Sequence, residues 1–117
     1  MADEQAIASH SDQEYGKELK FAIENAVFTL VGPIVLGSLH KHLMEKHGIT
    51  ADEVPSHLDT LSATFEKTFG PKGAGTLERA IAKRFYFRCD LRFTEKEGYR
   101  LHDYIQDAIK QLDHQNR

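Results

Sequence analysis

Residues 19–30 read Leu19-Lys20-Phe21-Ala22-Ile23-Glu24-Asn25-Ala26-Val27-Phe28-Thr29-Leu30, and their spacing decides the fold. Leu19, Ile23, Ala26 and Leu30 recur at intervals of four, three and four, which lines them along one stripe of a helix beginning near Lys17. Phe21 and Phe28, seven residues apart, fall on roughly the opposite side at about 100° per residue. A helix that is apolar on two sides is covered on two sides. It is therefore central in the fold or shared with a second chain.

Outward from this segment the same period continues. Before it, residues 1 to about 11 are small and polar without periodicity and read as a disordered tail. After it, Gly32-Pro33 ends the first helix, and Pro33 suits the opening turn of a second that runs to about His47. Leu36, Leu39 and Leu43 point inward there, and Gly48 is placed to close it. Thr50 and Glu53 have capping-box spacing but stand too close to Pro55 for more than a single turn. Ser56 then caps a third helix through Phe69, with Leu58, Leu61, Phe65 and Phe69 on one face. Gly70-Pro71-Lys72-Gly73 with Gly75 predicts a tight loop that reverses the chain. A fourth helix from near Thr76 aligns Leu77, Ile81 and Phe85, and ends near Cys89. The aromatic run at 87–93 there suits a short extended piece. Thr94 and Glu97 form a second capping box opening a last helix, 94–114, striped by Leu101, Ile105, Ala108 and Leu112. The expectation is one all-α domain over 12–117, a compact bundle of about five helices.

Composition bounds the function without selecting it. The 117 residues suffice for one core, and 40% hydrophobic with 28% charged residues is ordinary for a globular chain. A net charge of −3 argues against a generally basic nucleic-acid coat. A single cysteine, Cys89, excludes an intrachain disulfide and suits a reducing compartment, so a cytoplasmic location is expected. No apolar run is long enough to cross a bilayer, and the acidic start lacks a secretion pattern.

From Leu39 to Ile81 the punctuation is more particular. His42-Leu43, Lys46, Gly48-Ile49, Pro55, Phe65, Phe69-Gly70, Gly73-Ala74, Leu77-Glu78 and Ile81 stand at spacings that resemble the small archaeal "Nitrosopumilus output domain" family. The resemblance covers roughly residues 19–90 and departs from the family at the Gly32-Pro33 break and in the added helix after Cys89. It implies a helical module, stand-alone or attached to sensory and receiver domains, that serves as a signalling output. It transfers no catalytic residue.

Residue chemistry points away from an enzyme. Cys89 follows aromatic residues without the signature of a cysteine-histidine enzyme, although Arg88 and Arg92 bring positive charge near. Ser38 lies in Leu36-Gly37-Ser38-Leu39-His40, which lacks the first glycine of a nucleophile elbow. Asp52-Glu53 reads as a solvated approach to a turn. In the glycine-rich segment 70–76, Lys72 is misplaced for a phosphate-binding loop, and helix rather than strand precedes it.

Seven histidines invite a metal reading. His40 and His47 are two turns apart, about 10 Å of rise, too far to chelate one ion, and His42 points elsewhere. His40 and Met44 have the chelating interval of four, which suits haem or Cu(I). Imidazole edges covering a helix flank explain these residues more simply, so no cofactor is predicted.

Charge asymmetry is the sharper cue. Residues 79–92 hold five bases, Arg79, Lys83, Arg84, Arg88 and Arg92, against Asp90 alone. Residues 1–18 hold five acids, Asp3, Glu4, Asp12, Glu14 and Glu18, against Lys17 alone. The preferred expectation is a non-enzymatic protein-interaction module, self-associating as a homodimer through Phe21, Phe28, Leu101, Ile105 and Leu112. The competing view of the last helix is that it folds back within one monomer and buries the surplus stripes. A DNA- or RNA-binding regulator using Lys83, Arg84, Arg88 and Arg92 is the alternative. A haem or metal sensor using His40, His42, Met44 or His47 is the third reading.

Overall fold

The computed structural model describes residues 2–115, with side chains for residues 15–114. Four α-helices follow in order: α1 (Ala2–Val31), α2 (Pro33–His47), α3 (Leu58–Arg88) and α4 (Leu101–Gln115). A 3-10 helix, Ala51–Ser56, joins α2 to α3. No strand occurs among the described residues. The all-α bundle expected from the apolar periods is the fold.

α3 is the spine, packed against α1 and α4, while α1 also holds α2 and the 3-10 helix. The core runs through Ile23, Leu43, Leu61, Phe65, Ile81, Phe85 and Leu101, each nearly or wholly excluded from solvent. On α1 the inward positions are Leu19, Ala22, Ile23, Ala26 and Val27. Leu30, expected to complete that stripe, stands in the last turn before the chain swings away at Gly32 and stays 47% exposed.

Two Gly-Pro steps set the angles between helices. Gly32 has φ 97° and ψ 167°, and Gly70 has φ 79° and ψ 170°. Side-chain-bearing residues are nearly barred from that region, and the following proline favours an extended ψ before it. Pro33 and Pro71 then begin the next helical run, where their fixed φ fits and no N–H partner is missed. The predicted loop over 70–75 is thus a single-residue break inside α3, separating an arm at 58–69 from one at 71–88. Gly73, read from sequence as loop, lies in the helix. A Cβ there would come within 2.7 Å of Phe69 Cβ, so a side-chain-free residue lets the kinked arms close.

Of three helix starts read from the sequence, one forms as expected and two differ. Thr50 and Glu53 do make their capping box, with the Thr50 N–H donating to Glu53 Oε1 at 2.9 Å. Ser56 does not cap α3, because the 3-10 helix includes it and His57 occupies the N-cap without a side-chain hydrogen bond. The Thr94–Glu97 box does not form, and α4 begins only at Leu101, after Gly98 has turned the chain at φ 82°. Asp103 performs the expected capping job there, accepting the Arg100 N–H at 2.8 Å.

The aromatic run at 87–93 divides. Phe87 and Arg88 finish α3, and residues 89–93 form turn and irregular chain instead of a strand. No second strand lies beside them to satisfy a ladder, and aromatic packing holds the connection instead. Phe93 meets Tyr86 and Tyr104 at ring-centroid separations of 5.3 and 5.1 Å. The Tyr104 hydroxyl accepts the Lys96 N–H at 2.9 Å and donates to the Lys96 carbonyl at 3.1 Å. The tail expected at 1–11 falls largely within α1, and its side chains lie outside the described residues.

Candidate protein-interaction face

The outer side of α1 is built by the same period that builds its core side. With Leu19, Ile23 and Ala26 turned inward, helical geometry sets Phe21 and Phe28 outward, where they are 46% and 53% exposed. α2 and the 3-10 helix flank α1 on one side, and the 71–88 arm of α3 flanks it on the other. Neither flank covers the two rings.

On the α3 side, arginines hold the rings' edge in place. The Arg88 guanidinium lies 4.1 Å from the Phe21 ring centroid and donates to Glu18 Oε1. Its charge is therefore placed both over a ring face and against a carboxylate. One turn earlier, Arg84 Nε donates to Asn25 Oδ1 at 2.8 Å, and its Nη1 donates to the Ala80 carbonyl at 3.2 Å. Phe87, adjacent to Arg88 and three residues from Arg84, is 84% exposed and extends the apolar surface past the arginines. One ring, Phe21, thus lies against an ordered guanidinium group, and Phe28 and Phe87 are exposed on the same two helices.

The opposite flank is tied down by paired charges. Lys20 Nζ stands 2.9 Å from Asp52 Oδ1, and His40 Nε2 lies 3.6 Å from Glu24 Oε2. The Lys20 hydrogen bond holds the Asp52 carboxyl below its ordinary pKa, and that bond together with Glu24 raises the Lys20 ammonium above its own.

The remaining sequence candidates are dispersed or buried. Leu101 and Ile105, expected at an interface, are buried inside the chain against α3, and Leu112 is half-buried. The fold-back arrangement of the last helix is the one adopted, because α3 offers α4 an apolar partner within the chain. Lys83 Nζ sits 5.9 Å from the Phe93 centroid, and Arg92 is exposed in the connection after α3. Arg79 points instead toward Glu95, 3.8 Å away. The basic residues therefore divide among separate partners and do not form one continuous stripe.

His40 is engaged with Glu24, and exposed Met44 follows it one turn later. His42 and His47, read as facing apart, bring their rings within 5.8 Å edge to face near the end of α2. No group of three or more histidine, cysteine or carboxylate side chains is close enough for one metal ion among the described residues. Cys89 is half-buried at the end of α3.

Phe87, interleaved in the sequence with the bases of 79–92, was not among the interface residues expected. Its signal was present in the intervals to Arg84 and Arg88, but only if the aromatic run is taken as helix. Comparison of the chain with family models, curated proteins and solved structures returns no match.

Proposed function

We propose that the chain is a non-enzymatic protein-interaction module that pairs with a second copy of itself through the outer face of α1. The observation that carries this reading is the pair Phe21 and Phe28, exposed on one helix and bordered by arginines already ordered against Glu18 and Asn25. Burying a phenylalanine side chain contributes about 1.5–3 kcal/mol, and ordered neighbours lose little further entropy on association.

A second copy suits the face for two reasons. In an antiparallel twofold pairing the seven-residue interval is self-complementary, so Phe21 of one copy meets Phe28 of the other. Asp3, Glu4, Asp12 and Glu14, with Lys83 and Arg92, also give each copy both members of an ion-pair set. In the setting implied by the output-domain resemblance, such pairing would relay the state of an archaeal regulatory system.

Nucleic-acid binding has less support, because Arg84 and Arg88 each already direct Nε to α1 and the other bases lie apart from them. Sedimentation equilibrium tests the proposal. The wild type should show twice the 13.3 kDa chain mass at micromolar concentration, and Phe28→Asp should reduce it to one chain mass with the helical signal retained. A wild type of single mass across that range rejects self-association. Retention of duplex DNA, with affinity falling at a log–log salt slope of about −0.9 per phosphate contact, would favour the nucleic-acid reading instead.

A further inference from the structure

On the inward side of α1, away from Phe21 and Phe28, the bundle leaves a half-open cleft of about 520 Å³ where α1, the 3-10 helix, α3 and α4 meet. Its floor is apolar and buried, formed by Leu19, Leu58, Phe85 and Ile105, one or more from each long helix around it. Its volume falls within the range of small-molecule sites.

Gly16 is a second, separate observation. It lies inside α1 and lines the cleft, and a Cβ built on it would meet nothing within 4 Å. No turn or left-handed conformation requires glycine at this position. In a helix interior it costs about 0.5–1 kcal/mol relative to alanine. What glycine does provide is open space at the wall of the cleft.

The mouth defines the chemistry. His57 and His102 stand there with Thr60 and Gln106, offering both donors and acceptors. Among the described residues no lysine or arginine lines the space, and Asp59 contributes a carboxylate. An anion there meets the like charge of Asp59.

We propose that this cleft binds a small uncharged aromatic molecule with one hydrogen-bonding edge, of the chemistry of indole or phenol. The ring lies on Leu19, Phe85 and Ile105 against Gly16, and the polar edge faces the mouth.

Titration of the full-length protein with indole, followed by amide chemical shifts, tests this. The expected result is saturable binding with shifts clustered around residues 16–19, 57–60 and 102–109. Gly16→Leu should weaken it at least tenfold with helicity intact, while Gly37→Leu, the same change at an exposed α2 position outside the cleft, should leave it unchanged. Indole-3-acetate, which adds a negative charge, should bind at least tenfold more weakly than indole. The absence of shifts at millimolar indole, equal binding by Gly16→Leu, or equal binding of indole-3-acetate would each overturn the proposal. Phe28→Asp should bind indole like the wild type, so failure of the pairing model leaves this result independent.

Discussion

Glu78 is a carboxylate held in the core of the bundle, with its side chain only 3% exposed. It is tolerated because its oxygens are fully used. Arg100 donates Nε to Oε1 at 3.0 Å and Nη2 to Oε2 at 2.8 Å, and the Leu101 N–H donates to Oε1 at 2.9 Å. The same group therefore neutralises an arginine and satisfies the first N–H of α4, fixing that helix on α3. Arg100→Met leaves Glu78 buried with one backbone donor. Urea unfolding should show a loss of about 3–5 kcal/mol, the cost of stranding a buried charge, and a loss under 1 kcal/mol would show that water replaces the guanidinium freely. Tyr86 makes a second demand at residue scale. Its hydroxyl donates to the Tyr104 carbonyl at 2.8 Å, and burial, followed by the nearby Asp107 charge, pushes its pKa up to about 12. A raised folded value means the protonated form is favoured by folding. The contribution is therefore complete below about 10, the unfolded value, and disappears as pH rises through 12. Stability measured from pH 9 to 12 should fall more steeply for the wild type than for Tyr86→Phe; parallel curves would place the alkaline loss elsewhere.

At the scale of elements, the two Gly-Pro steps act as one device used twice. Each places glycine in a region closed to other residues and restarts the helix on proline, so the chain changes direction without a loop. Gly32→Ala and Gly70→Ala should each cost about 1–3 kcal/mol by thermal or urea unfolding. The space around both positions is open, so backbone strain alone is tested, and a neutral effect would mean that the hinge relaxes. The first step is legible from sequence because the periods of α1 and α2 are interrupted only by Gly32-Pro33. The second is concealed by three glycines in six residues, a composition that signals a loop. What keeps Gly73 helical is the approach of Phe69 across the kink, a contact that no local propensity encodes. The start of α4 was misplaced for a related reason. Thr94 and Glu97 have the right interval, but Lys96 is claimed by Tyr104 and the helix waits for Asp103 to cap it.

For the whole molecule, the distinction between core and surface separates residues that look alike in sequence. Leu101 and Phe28 are both members of apolar helical stripes, yet one is fully buried and the other 53% exposed. Leu101→Ala should lower stability by about 2–5 kcal/mol at any protein concentration, as a cavity in a monomer core does. Phe28→Asp should leave the single chain's unfolding midpoint nearly unchanged while abolishing association. A concentration-dependent effect of Leu101→Ala would return α4 to the interface.

Periodicity alone determined that the chain is all-α, where the apolar stripes lie, that α1 carries rings on the side away from its core, and that Gly32-Pro33 separates two helices. These are local consequences of the 3.6-residue repeat and of the restricted dihedrals of glycine and proline. Only the tertiary structure decided that α4 folds back on α3, that Arg88 lies over the Phe21 ring, and that four elements leave a cleft beside Gly16. Those outcomes depend on which buried surfaces meet. Glu78 with Arg100 and Glu18 with Arg88 pair across 22 and 70 residues of chain, beyond the reach of any local pattern.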